Sequence, residues 1–283
     1  MARCMFCGCK ATKEHVWGRW TQKYFPASDE EKLKRGNHKV TKQDALGNKL
    51  VADGIWANAG DILSNTTKVL CRDCNNTWGS KIEQEMEAVF RHVFVDHQRT
   101  LDARQADALV RWLFLKNCLH ERACPLVDLE FGEFRPKNYL AVKEAETNER
   151  ARKWLLFKET LIPPDDYKFF LGFSPNRNRI AHNFIPMQGY NVDVSKEILV
   201  EWQSLTLNVI HLCPMMALVT NEPRVIQKVV ERFSGHSERP LTEIRMGKSV
   251  SLSNISWDDA QFEDTILGIL DNPDAGFYLR RNF

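Results

Sequence analysis

Beyond residue 80 the apolar positions of this chain follow helical spacing first and strand-like spacing later. Ile82, Met86, Val89 and Val93 recur at three- and four-residue intervals and predict a helix to about Asp96. Asp102 followed by Gln105 makes a capping-box start for a second helix. Its Ala106, Leu109, Val110, Leu113 and Cys118 mark one apolar face to about Arg122, broadened by Trp112 and Phe114. A shorter helix is expected at Ala151–Lys158. Strands are expected at Tyr167–Phe173, Ile180–Met187, Leu205–Cys213 and Met215–Thr220, then a helix at Pro223–Phe233. The tail after Gly235 is less regular.

The first eighty residues read differently. Tyr24 to Ile62 is a polar insert rich in Lys, Asp, Asn and Gly with poor periodicity, read as loops with one short hairpin around Gly47. On either side of it lie two C-x-x-C pairs, Cys4/Cys7 and Cys71/Cys74, the second preceded by the β-prone run Thr66 to Leu70. Two such knuckles supply four thiolates in the tetrahedral set that structural zinc prefers, and Gly8 permits the tight turn of the first. Cys9 is an alternative to Cys7 as a ligand. A redox dithiol and two unrelated cysteine pairs are the competing readings. Cys118, Cys124 and Cys213 stand alone in the sequence and read as small buried hydrophobes.

Composition adds little until the chain is divided. The net charge is +2 overall, but residues 1–81 carry 14 Lys/Arg against 8 Asp/Glu. Excess positive charge on the cysteine-bearing segment suits a phosphate-bearing partner, although a solvated basic face has the same composition. No run reaches the roughly eighteen apolar residues of a membrane span, and MARCMFCGCK has no apolar core of a secretion signal, so a cytoplasmic protein with no membrane partner is expected.

Between and beside the knuckles sit Glu14-His15, Asn65 and Asn75-Asn76. The pattern C-x-x-C-G, then E-H-V-W, then N-x-x-x-x-x-C-x-x-C-N-N-x-W-G-S resembles the zinc-containing branch of the HNH (ββα-metal) endonucleases. The resemblance implies an α+β chain: a zinc-stapled ββα-metal module over 1–97, with its insert at 24–62, and a mixed helical and β extension over 98–283. It implies His15 as general base, Asn65 as the residue orienting the His15 ring, and Glu14 with Asn75, or alternatively Asn76, as ligands of a catalytic Mg²⁺ or Mn²⁺. A structural Zn²⁺ would sit on Cys4, Cys7, Cys71 and Cys74. Where many relatives place a further His or Lys, this chain has Gly79. The implied activity is phosphodiester hydrolysis in nucleic acid, DNA in preference to RNA, in a setting such as bacterial defence or phage biology. The other reading is a catalytically inactive zinc-stabilised adaptor or inhibitor that binds nucleic acid or protein. Under either reading the extension would shape a nucleic-acid groove, form a homo-oligomer or engage a regulatory protein.

Overall fold

In a computed structural model the described residues are 2–26, 42–43, 49–50, 56–57, 63, 66–123, 136–173, 180–193, 195–212, 215–233, 241–252 and 278–279. The N-terminal part begins with a loop closed on itself. The Cys4 N–H donates to the Cys9 carbonyl at 2.7 Å, and the Gly8 N–H donates to the Cys4 carbonyl at 3.0 Å. Gly8 sits at φ +71°, the left-handed region that a side chain disfavours. Strand β1 (Glu14–His15) pairs antiparallel with β5 (Thr66–Thr67), and β4 (Trp56–Ala57) covers the other edge of β5. Helix α1 (Trp20–Tyr24) follows β1. Within the insert, β2 (Lys42–Gln43) and β3 (Lys49–Leu50) form the short hairpin expected around Gly47. Joining of β4 to β5 has no counterpart in the sequence pattern.

The predicted helix after the second knuckle is present in segments. A single turn, α2 (Arg72–Cys74), widens into a π-helical turn at Asn75–Gly79, continues as α3 (Ser80–Phe90) and widens again at Arg91–Val95. Gly79 belongs to the first wide turn, where an added Cβ would lie only 3.1 Å from the Cys74 carbonyl oxygen. Ile82, Met86, Val89 and Val93 are all buried, as their spacing demands.

After the short strand β6 (Thr100–Leu101) comes α4 (Ala103–Ala123). The capping box forms reciprocally: Asp102 Oδ1 accepts from the Gln105 N–H at 2.8 Å, and Gln105 Oε1 accepts from the Asp102 N–H at 2.9 Å. Helix α5 spans Tyr139–Thr160, much longer than the expected Ala151–Lys158. Its first half is dominated by Lys143, Glu144, Glu146 and Glu149, which leave no apolar period to detect. The helix ends on Leu161 at φ 55°, a left-handed cap whose N–H bonds the Phe157 carbonyl at 2.7 Å before Pro163 and Pro164.

The extension is built on an antiparallel sheet of order β11-β7-β10-β9-β8-β13. Its strands are β7 (Lys168–Phe173), β8 (Ile180–Asp193), β9 (Ile198–Leu212), β10 (Met215–Thr220), β11 (Leu241–Ile244) and β13 (Tyr278–Leu279). The four predicted strands are present, with β8 and β9 extended toward each other into a long hairpin bulged at Asn191/Val192. Helix α6 (Pro223–Phe233) has the predicted bounds; Pro223 opens it and the Glu222 carboxylate accepts the Val225 N–H at 2.9 Å. A small ladder pairs β12 (Val250–Ser251) with β6. Helix α4 packs between α3 and the sheet, so that one buried apolar cluster runs from Cys4 through Trp112 and Phe114 to Leu252. Helix and strand are both abundant, and the chain is of mixed α and β class. Among the described residues no helix is long and apolar enough to cross a membrane.

Candidate metal centre and adjacent polar site

The two knuckles are separated by sixty-three residues of sequence, and backbone pairing closes that gap. The Met5 N–H donates to the Val69 carbonyl at 2.9 Å and the Thr12 N–H to the Leu70 carbonyl at 2.8 Å, which stitches the first knuckle alongside the approach to the second. As a result the sulfurs of Cys4, Cys7, Cys71 and Cys74 all lie within 4.8 Å of one another. Cys7 Sγ is 3.5 Å from Cys71 Sγ and 3.7 Å from Cys74 Sγ. A tetrahedral zinc with Zn–S bonds of about 2.3 Å has sulfur–sulfur edges of about 3.8 Å, so the cluster has the dimensions of a Cys₄ site. Cys4, Cys71 and Cys74 are buried and Cys7 is exposed, while Cys9 is exposed and outside the cluster.

The thiols are electrostatically mismatched as neutral neighbours. Burial pushes the Cys4 thiol up. Burial and then its contact with Cys71 push Cys74 far up. At Cys71 burial acts in the same direction, but hydrogen bonds from the Cys74 N–H and the Cys7 thiol outweigh it and hold the group below its ordinary value. A cation bound among these four sulfurs would stabilise all of them in the deprotonated form.

Immediately beside this cluster, Glu14 and Asn75 meet. Asn75, at the start of the π-helical turn, donates from Nδ2 to Glu14 Oε2 at 2.8 Å. The other carboxylate oxygen accepts the Thr12 hydroxyl at 2.5 Å. Thr67, paired with Glu14 in the ladder, has a buried hydroxyl with no hydrogen-bond partner among the described residues. His15, the next residue of β1, is exposed and pairs through its backbone register with Thr66. Asn76 is exposed, and its carbonyl accepts the Ser80 hydroxyl at 3.1 Å; of the two asparagines, Asn75 reaches Glu14. Asn65 lies outside the described residues, as do Cys124 and Cys213.

A second polar centre, without a motif of its own in the sequence, lies where α4 meets α3. Lys116, on α4 and 1% exposed, donates to Glu83 of α3 and to the Val16 carbonyl, the latter at 2.5 Å. The other Glu83 oxygen accepts the indole N–H groups of Trp20 at 2.8 Å and Trp112 at 3.0 Å. The ammonium also lies 5.4 Å from the Trp112 ring centroid and 5.8 Å from that of Trp17. Gly18 makes room for this arrangement, because an added Cβ would collide with the Glu83 carboxylate and lie 2.5 Å from Trp20 Nε1. The sequence did carry a signal: Lys116 shares the apolar helical face of Leu109, Trp112 and Leu113, where a charge requires a partner.

A third buried polar centre lies deeper in the extension. The Glu121 carboxylate, in a residue 2% exposed, accepts from Asn117 Nδ2 at 2.8 Å, Trp154 Nε1 at 2.8 Å and the Tyr167 hydroxyl at 2.5 Å. Arg150 donates to the Glu121 backbone carbonyl at 3.0 Å. This buried network joins α4 and α5 to Tyr167, the residue just before β7.

No family model, curated protein or solved structure matches the chain.

Proposed function

We propose that the chain is a metal-dependent endonuclease of the HNH type that hydrolyses phosphodiester bonds in nucleic acid, DNA in preference to RNA. The observation that carries this reading is the hydrogen bond from Asn75 to Glu14, which brings together two residues that the family resemblance assigns to one ion. The four clustered sulfurs support a structural zinc a few residues away on the same elements.

Glu14 and Asn75 are a fitting donor set for a hard divalent ion. Glu14 presents carboxylate oxygens, held in place by the Thr12 hydroxyl, and Asn75, whose amide nitrogen faces Glu14, would offer its amide oxygen to an ion after a half-turn of the amide; Mg²⁺ commonly takes only one or two protein ligands plus waters and substrate phosphates. When bound, such an ion supplies Lewis-acid stabilisation of charge on the phosphoryl group and the departing 3′-oxygen. His15 projects from the strand that carries Glu14, exposed to solvent, and acts as the base that takes a proton from the attacking water. The positive balance of residues 1–81 favours approach of a polyanion.

One observation favours the second reading, a zinc-stabilised binding protein without catalysis. Gly79 offers no donor, and its closeness to the Cys74 carbonyl leaves little space for one. The test is nicking of supercoiled plasmid by the zinc-loaded chain with Mg²⁺ or Mn²⁺. Cleavage that stops with excess EDTA is expected; binding of DNA and RNA without cleavage by either ion contradicts the proposal and selects the second reading.

A further inference from the structure

We infer that Lys116, a residue of the extension, is a positioning residue for His15. This rests on the reading of His15 as the base. Val16 directly follows His15, and its carbonyl is held by the Lys116 ammonium at 2.5 Å. The strand β1 is only two residues long and among the described residues its ladder with β5 ends at His15; the buried Val16 and Trp17 then carry the chain into the core, where Lys116 adds a hydrogen bond to the backbone. Lys116 supplies it from a helix one hundred positions away. The anchor is itself fixed: Glu83 holds the ammonium, the Trp20 and Trp112 indoles hold Glu83, and the Trp17 and Trp112 rings flank the charge. A buried ammonium is costly unless every donor is satisfied, and here its partners are one carboxylate, one carbonyl and aromatic faces. The β1–β5 ladder fixes the backbone up to His15, and the extension adds a charged hydrogen bond one residue beyond it.

The experiment uses the full zinc-loaded chain with Lys116→Met, which keeps the side-chain length, and Lys116→Arg, which keeps a charged donor. A misplacement near 1 Å costs on the order of 100-fold in rate. We expect Lys116→Met to lower kcat by about that factor with KM and zinc content unchanged, and Lys116→Arg to recover part of it. Equal loss in both variants, or loss that follows zinc content, overturns the inference. Wild-type cleavage by Lys116→Met beside an inactive His15→Ala also overturns it, and leaves the nuclease reading intact.

Should Lys116→Met fail to fold, Glu83→Gln takes its place, since it keeps volume and an acceptor for the indoles. A fall in kcat supports the inference and an unchanged kcat refutes it. If the wild-type chain cuts nothing, the nuclease reading fails on its own, and the same variants are read from the His15 Hε1 resonance. A displaced or doubled resonance supports positioning; an unchanged one overturns it.

Discussion

Asn75 donates a 2.8 Å hydrogen bond to the carboxylate of Glu14, across 61 positions of sequence. The contact depends on two local features: the β1–β5 ladder, which sets Glu14 opposite Thr67, and the widened helical turn that begins at Asn75. Wide turns of this kind are rare and frequently mark functional sites.

If this pair holds the catalytic ion, removing either member weakens it. Glu14→Ala and Asn75→Ala are expected to reduce Mn²⁺ affinity by on the order of 10- to 100-fold, the range found when groups supporting a bound metal are lost. Asn76→Ala, at an exposed position, is expected to bind as the wild type does. Calorimetric titration of Mn²⁺ into the zinc-loaded chain measures all three. Equal affinities across the set remove the pair from the site.

The sulfur cluster predicts one tightly held zinc per chain. Cys74→Ser is expected to lose it and to unfold the knuckle region, because structural zinc in small modules contributes on the order of 10 kcal/mol. Cys9→Ser is expected to keep it, since that thiol stands outside the cluster. Elemental analysis with thermal unfolding separates the two. Zinc lost from Cys9→Ser but retained in a Cys7→Ser variant would make Cys9 the ligand.

Glu83 joins two indoles and a buried ammonium. Glu83→Ala leaves the Lys116 charge without its counterion and is expected to cost about 3–5 kcal/mol in chemical denaturation. Adding Lys116→Met to Glu83→Leu removes the uncompensated charge and is expected to recover much of that loss. Recovery stays incomplete, because Trp20 and Trp112 still lack their acceptor. A Glu83→Ala loss below about 1 kcal/mol would place the pair among weak surface bridges.

Alkaline pH offers a test of the inner core. Burial, and then the nearby Glu121 charge, push both the Cys118 thiol and the Tyr167 hydroxyl well above their ordinary values of 9.0 and 10.0. The folded chain thus keeps protons that the unfolded chain releases. Stability is fully present below about pH 9 and falls as pH rises, by up to about 1.4 kcal/mol per pH unit for each group. Denaturant unfolding of the zinc-loaded protein on either side of pH 9 should show this decline. Cys118→Ala should make it shallower, and a slope identical to wild type contradicts the assignment.

The sequence displayed the parts of this fold whose physics is local. The capping box at Asp102 and Gln105, the apolar stripe of α4, strand β10 and the bounds of α6 follow from spacing and cap chemistry. The four clustered cysteines stand in the sequence as two C-x-x-C pairs, and Glu14 and Asn75, which meet in the fold, are candidates there only through the family resemblance. What could not be read depends on long-range partners. The charged first half of α5 shows no apolar period, and β4 finds β5 only once the chain has folded. The Lys116–Glu83 centre was hidden because a single lysine in an apolar run does not announce which carboxylate it meets.

Hydrolysis with His15 as the base cannot survive loss of its imidazole. The most direct measurement is the plasmid-cleavage rate of His15→Ala beside the wild type, with zinc content and unfolding midpoint taken on the same samples. Loss of cleavage by a factor on the order of 100 to 10,000, the usual contribution of a general base, is expected, with zinc and stability unchanged. Wild-type cleavage by His15→Ala would contradict it.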